Sequence, residues 1–452
     1  MRGFLVLESG DVFVGEILEE YAGTTTAKSD GSSKTGTNLP KDEPSKYGTT
    51  TGKTDEPSKY STTNPVLAEL VFTTGMSGYQ ETLTDPSYAG QMICFTAPHI
   101  GNTGVNSEDI ESIGGEKIYP NAIILKEKPT QSSSWRSENE FSKWLAQNNT
   151  VCLYGVDTRK LTLILREYGS LKAGIFSGVS LINDAKNDLP NDAIDIVRNQ
   201  NSMEGSKFVD EVSVKSVTNY PSKIGKHSQY CDLNSKQNCN TYEVALIDLG
   251  IKANSINNLN MRGCNVTVFP NTTNINELTQ KDFDGVFFSN GPGDPATAIN
   301  EIALLSEVLK RKIPYFGICM GNQLLTHALG FSTKKMKFGH RGINQPVKEV
   351  ETSKVYITAH NHGFASNLPL SDSEIQAGKK IKSPKGFGDV IVSHYNLNDN
   401  VIEGIKCLDI PAFSVQYHPE AAAGPHDAEN EFDKFIDLMR NNNVPNKNAG
   451  DK

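Results

Sequence analysis

The run Pro314-Tyr315-Phe316-Gly317-Ile318-Cys319-Met320-Gly321 sets a reactive side chain where catalysis can use it. An apolar strand feeds a Gly-x-Cys-x-Gly turn, which opens a helical segment where Leu324, Leu325 and Ala328 share one face. This is the thiol counterpart of a nucleophile elbow, whose small flanking residues allow the sharp turn that lifts the nucleophile above the strand ends. The positive end of the helix macrodipole also favours the thiolate, the attacking form. A nucleophile needs a base, and the base an orienting group. The stretch Val415-Gln416-Tyr417-His418-Pro419-Glu420 offers both. Pro419 biases His418 toward extended backbone, and side chains two apart on an extended chain project to the same side. Glu420 can then fix the imidazole tautomer while the other ring nitrogen faces the thiol. In Ser289-Asn290-Gly291-Pro292-Gly293-Asp294-Pro295, Gly293 lets backbone approach a ligand, so that its N–H and that of Met320 can form an oxyanion hole. Taken singly, these pieces also fit a buried core cysteine, a surface His–Glu pair and a Gly/Pro turn. Their combination favours catalysis.

Elements able to position these groups follow from the patterning. Beyond residue 242, short β-rich runs (Val244 to Leu249, Asn265 to Phe269, Gly285 to Ser289) alternate with amphipathic segments such as Lys252 to Met261. That alternation predicts βαβ units in an α/β domain over 242–445, with a mostly parallel sheet covered by helices. Residues 1–201 contain more short strands and turns, with helices expected over Ser137 to Gln147 and Thr158 to Glu167, and so predict a smaller α+β domain. The polar stretch 202–241 reads as a linker and 446–452 as a disordered tail. Within the first domain, 24–64 is low in apolar residues and repeats Asp-Glu-Pro-Ser-Lys-Tyr at Asp42 to Tyr47 and Asp55 to Tyr60. Such a segment cannot bury enough surface to offset its ordering entropy, so a disordered insertion is expected. Inside it, Gly48-Thr-Thr-Thr-Gly52-Lys53-Thr54 is one residue short of a P-loop and lacks the strand that should feed it, so no ATP site is expected in this chain.

At 452 residues the chain exceeds what one core usually organises, in keeping with two domains. With 44 Lys+Arg against 53 Asp+Glu the formal charge is -9, which gives no electrostatic reason to bind nucleic acid or acidic membranes. The seven cysteines form no Cys-x-x-Cys pair, so neither a disulfide framework nor a metal module is expected. No apolar leader opens the sequence and no apolar run approaches the ~20 residues of a membrane span. A cytoplasmic location is the expectation.

Taken in order and spacing, Ser289 to Pro295, Phe316 to Leu325 and Gln416 to Ala422 resemble the class I glutamine amidotransferases. The N-terminal signatures Thr73 to Tyr88, His99-Ile-Gly-Asn-Thr-Gly104 and Asp157-Thr-Arg-Lys-Leu-Thr162 narrow this to a similarity with carbamoyl-phosphate synthetase small subunits, since glutaminases serving GMP or anthranilate synthesis lack them. The resemblance implies that Cys319 attacks the amide of L-glutamine, that His418 is base and then acid, that Glu420 orients it, and that Met320 and Gly293 supply oxyanion N–H groups. It further implies substrate contacts from Ser87, Gly291, Gln323, Asn361, Gly363 and Phe364, with Asn361 to Phe364 as a closing loop, a pocket between domains, and His362 in a positioning role at most. Ammonia would pass to a large synthetase subunit or domain that makes carbamoyl phosphate for pyrimidine or arginine synthesis. ATP and Mg would belong to that partner, leaving this chain without cofactor or metal. One position departs from the family, because Asn322 stands where histidine is usual and cannot take up a proton near neutrality, which alters any tuning of the thiol. A catalytically silent regulatory scaffold of the same complex is the alternative; the presence of Cys319 weighs against it.

Overall fold

The structure, a computed structural model, describes residues 1–18, 65–177, 192–223 and 241–442. The expected insertion over 24–64, residues 224–240 of the expected linker and the tail over 446–452 lie outside the described residues.

Seven strands of the N-terminal part close into a barrel, in the order Arg2–Leu7, Val12–Ile17, Val151–Tyr154, Ala122–Ile124, Gln91–Phe95, Val66–Thr73 and Leu171–Ser177. The strands from Val66–Thr73 round to Val151–Tyr154 pair in parallel, and the remaining pairs are antiparallel. Closure leaves no open sheet edge. Leu5, Leu70, Met92, Ile124 and Leu153 fill the interior. Outside, Phe141–Gln147 and Thr158–Tyr168 are helical. The first begins four residues later than the sequence predicts, because Glu140 is extended (φ -72, ψ 138) and Glu138 and Asn139 bond back to the Val105 carbonyl.

The C-terminal part is built on a second sheet with five parallel strands at its centre, ordered Ala412–Val415, Tyr315–Ile318, Gly285–Phe288, Tyr242–Asp248 and Cys264–Pro270. Helices Ile299–Lys310 and Met320–Ala328 cover one face through Leu304, Leu305, Val308, Leu324 and Leu325. Ala253–Met261 and Asn430–Asn442 cover the other through Ile256, Leu259, Phe432, Phe435 and Met439. The α/β reading is borne out. Antiparallel strands extend the sheet on both sides, the longest being the hairpin of Ser332–Glu349 and Val355–Asn367. The segment Asn361 to Phe364, expected as a loop, therefore lies within a strand, held by its ladder to residues 332–348. Among the described residues no helix is long and apolar enough to cross a membrane.

Candidate active site

Cys319 sits between the strand Tyr315–Ile318 and the helix Met320–Ala328, as the last residue before the helix begins. Its backbone is left-handed (φ 53, ψ -99), a conformation that costs a non-glycine residue about 1–3 kcal/mol and persists only where the surroundings impose it. Those surroundings are the Cys319 N–H donating to the Val415 carbonyl (2.9 Å) and the Gly321 N–H donating to the Ser289 carbonyl (3.1 Å). Gly321 is required by packing, because a Cβ there would lie 2.4 Å from the Phe288 carbonyl oxygen. The strained turn holds the sulfur 3.8 Å from the Asn361 carbonyl oxygen, at the wall of a cleft. By contrast, burial pushes the thiols of Cys94, Cys152 and Cys407 up to about 12, leaving them protonated and inert.

His418 reaches the same point just past the strand Ala412–Val415, in an isolated bridge where its N–H donates to the Ala359 carbonyl (2.9 Å). Its Nδ1 lies 2.7 Å from Glu420 Oε1, so the 418/420 spacing does bring the two side chains together. Nε2 has no hydrogen-bond partner among the described residues, yet the Cys319 sulfur is near enough to influence the ring. Burial favours a neutral imidazole, but the Glu420 charge and the Cys319 sulfur outweigh it and raise His418 from 6.5 to about 10. Burial likewise works against an ionised Glu420, and the Lys252 and His418 charges overcome it, holding the carboxyl well below its ordinary range. Lys252 Nζ is 3.1 Å from the same Oε1, and both side chains are almost wholly buried. The row Lys252, Glu420, His418, Cys319 thus keeps a proton on the imidazole beside the sulfur.

In front of Cys319 opens a narrow cleft lined by Ser87, Gly291, Gly293, Gln323, Asn361, His362, Gly363 and Phe364. Ser87 comes from the N-terminal part and the rest from the C-terminal part, so the cleft lies between them. Met320 is not among its lining residues; its place is the first position of the helix behind Cys319. Gln323 Nε2 donates to the Phe364 carbonyl (2.9 Å) and to Gln416 Oε1 (3.2 Å), tying the elbow helix to the strand opposite. His362 also turns away, its Nδ1 2.9 Å from the Phe364 carbonyl.

Asn322 does not meet the thiol. Its amide nitrogen donates to Ser366 Oγ and Gln416 Oε1 (both 3.1 Å) and its oxygen accepts from Ser414 Oγ (2.8 Å), inside a fully buried polar network. The substitution for histidine therefore acts on packing behind the elbow, and the expected direct effect on the thiol has no contact to carry it.

Four residues that the sequence reading passed over hold the site together. Lys252, the residue immediately before the helix Ala253–Met261, neutralises Glu420. Asp85 accepts from the Ser87 N–H (2.9 Å), from Asn361 Nδ2 (3.1 Å) and from Asn290 Nδ2 (3.3 Å), joining the N-terminal part to both walls of the cleft. Glu69 and Lys335 pair across the cleft mouth and place both signs of charge there.

Residues 245–438 match the family Glutamine amidotransferase class-I, and residues 48–175 match Carbamoyl-phosphate synthase small chain, CPSase domain. The chain is 50% identical over 384 residues to a protein of Bifidobacterium longum named carbamoyl phosphate synthase small chain, covering 84% of this chain and 90% of that one. It belongs to the carbamoyl phosphate synthase small chain family. Proteins of the same name from Streptomyces avermitilis and Mycobacterium tuberculosis are each 47% identical, covering 82% of this chain and 89% and 92% of theirs. As a small chain with a class-I domain, it is a glutamine-hydrolysing amidotransferase, as the motifs around Cys319 and His418 led one to expect.

Proposed function

We propose that the chain hydrolyses glutamine through a thioester on Cys319 and passes the ammonia to an ATP-dependent synthetase that forms carbamoyl phosphate. The observation that carries this reading is the strained Cys319 turned toward a cleft with a protonated His418, itself held by Glu420 and Lys252. The sulfur attacks the side-chain amide carbon as a thiolate, and the developing oxyanion is met by the Met320 and Gly293 N–H groups. His418 gives its Nε2 proton to the amide nitrogen; the C–N bond breaks, ammonia leaves, and the acyl group stays on sulfur. Neutral His418 then takes a proton from water, whose oxygen attacks the thioester, and glutamate departs as the thiolate reforms. Glu69 and Lys335 present charges opposite to the ammonium and carboxylate of a free amino acid, while Ser87, Gly291, Gln323, Asn361, Gly363 and Phe364 shape the cleft around it.

Ammonia in bulk water is protonated near neutral pH and loses its nucleophilic lone pair, so its consumption calls for a partner that receives it out of water. ATP and Mg belong to that partner in this reading, and the chemistry assigned to this chain uses neither. The test is a complex of the chain with a family large subunit. Cys319→Ser should remove glutamine-dependent carbamoyl phosphate synthesis and spare synthesis from added ammonium. Loss of both activities in an assembled complex would contradict the separation of the two reactions.

A further inference from the structure

On the side of the strand Val355–Asn367 away from Asn361, three histidines and a glutamate from three strands converge. His340 comes from Ser332–Glu349, His360 and His362 from Val355–Asn367, and Glu403 from Ile402–Cys407. All four are buried, and one ligand atom from each lies within 4.8 Å of the others. His360 Nδ1 is 3.2 Å from His362 Nε2, and His340 Nδ1 is 3.1 Å from Glu403 Oε1. Glu403 oxygens are 3.7 Å from His360 Nδ1 and 3.8 Å from His362 Nε2. Donors bound to zinc at about 2.05 Å in a tetrahedron stand about 3.3 Å apart; the four separations above lie within about half an ångström of that, and the remaining pairs, within 4.8 Å, would close by at most about 1.5 Å on binding.

Proton accounting makes the convergence unusual. The outer nitrogen of each ring has an oxygen to donate to: His362 Nδ1 the Phe364 carbonyl (2.9 Å), His340 Nε2 the Asp399 carboxylate (2.8 Å), and His360 Nε2 the Thr358 hydroxyl (2.7 Å). Thr358 spends its own proton on the Gln345 carbonyl (2.9 Å), so it accepts from His360. In neutral His360 and His362 the inner nitrogens are then lone pairs that face each other at 3.2 Å with no proton between, while His340 Nδ1 faces Glu403 Oε1 and holds a proton that a bound cation would displace. Beside them Glu403 Oε2 is buried without a partner, while Asn396 Nδ2 is 3.3 Å from Oε1 and 3.5 Å from His340 Nδ1. Inner lone pairs with outer N–H groups fixed by carbonyl, hydroxyl and carboxylate is how proteins prepare histidines for metal.

We propose that His340 Nδ1, His360 Nδ1, His362 Nε2 and the Glu403 carboxylate form a tetrahedral site for one Zn²⁺ ion. Three nitrogens and a carboxylate suit zinc, and four protein ligands close the coordination sphere, as in structural sites. The ion clamps two strands that both touch the catalytic segment: the Gln416 N–H donates to the Glu403 carbonyl (2.8 Å) and the His418 N–H to the Ala359 carbonyl (2.9 Å). Its task is to hold those strands, and no step of glutamine hydrolysis uses it. Sequence patterning gave no sign of it, because His340 and Glu403 stand 63 residues apart.

The test is metal analysis of the untagged full chain after exposure to Zn²⁺ and removal of loosely bound ion, with affinity measured against a chelating indicator. One zinc per chain is expected, and it should persist in Cys319→Ser, which excludes capture by the catalytic thiol. Asp399→Asn removes the carboxylate charge that faces His340 Nε2, from a side chain that is 42% exposed, so the fold should survive while affinity falls about 10–100-fold. Cobalt bound in place of zinc should show the intense visible bands of a tetrahedral ion in both wild type and Cys319→Ser. Absence of binding at micromolar Zn²⁺, loss of the metal in Cys319→Ser, or an affinity unchanged by Asp399→Asn would each overturn the proposal in favour of a proton-linked histidine network.

Discussion

Replacing Glu420 by Gln tests the electrostatics of the site without changing its shape. Both His418 Nδ1 and Lys252 Nζ meet the same atom, Oε1, which the amide can still supply as an acceptor, so the variant removes charge and keeps the hydrogen bonds. His418 rises from 6.5 to about 10 against the effect of burial, and the Glu420 charge is the leading cause of that rise. The difference corresponds to at most about 5 kcal/mol in favour of the imidazolium. Without the carboxylate, burial and the unneutralised Lys252 both favour the neutral ring, and His418 should titrate at or below its ordinary 6.5. At pH 7 no more than about a quarter of the enzyme would then carry the proton that ammonia departure requires. The assay is glutamate release as kcat/KM against pH, which reports the free enzyme. Wild type should keep its activity until the pH approaches about 10; Glu420→Gln should lose it near neutrality, with kcat/KM at pH 7 at least about fourfold lower. The linked effect on stability has a definite sign. His418 is raised, so its contribution is complete below 6.5 and disappears as the pH climbs through about 10. Glu420 is lowered, so its contribution is present above 4.5 and is lost as the pH falls through about 2. An alkaline limb left unmoved by Glu420→Gln, with kcat/KM within about threefold of wild type, would refute this reasoning.

Three further outcomes follow from the same contacts. Lys252→Met leaves Glu420 with His418 as its remaining cationic neighbour, so the acid limb of the kcat/KM profile should move up and chemical denaturation should show a loss of about 3 kcal/mol; an unshifted limb would argue against the ion pair. Asp85→Ala strips the acceptor from Ser87, Asn290 and Asn361 together, and should destabilise the chain by about 2–5 kcal/mol and raise KM for glutamine more than it lowers kcat. Cys319→Gly abolishes hydrolysis but relieves the left-handed strain at φ 53, so its melting temperature should equal or exceed that of wild type; a fall of several degrees would show that the turn is not strained.

The elbow was legible because every signal for it is local. The apolar strand, Gly317, Gly321 and the helix that follows lie within one short stretch, and the 418/420 spacing needs only extended backbone to bring His418 and Glu420 together. The residues that lock these pieces were not legible, since their partners are remote: Asp85 meets Asn290 and Asn361 across 205 and 276 residues. Lys252 looked like an ordinary polar residue at a helix start, and only burial against Glu420 gives it a role. The long hairpin was missed for a different reason. Its strand Ser332–Glu349 begins Ser-Thr-Lys-Lys-Met-Lys and is largely polar, because much of it is only partly covered, so neither alternation nor an apolar run announces it. Barrel closure in the N-terminal part likewise depends on pairing the first strand with Leu171–Ser177, a contact that no local pattern encodes.

The proposed hydrolysis passes through a covalent intermediate at one sulfur. Acid-quenching the enzyme during turnover of isotopically labelled glutamine, followed by peptide mapping, should find a γ-glutamyl thioester on the peptide that contains Cys319, and none in Cys319→Ser. Hydrolysis that proceeds with no label on Cys319, or that survives in Cys319→Ser, would contradict it.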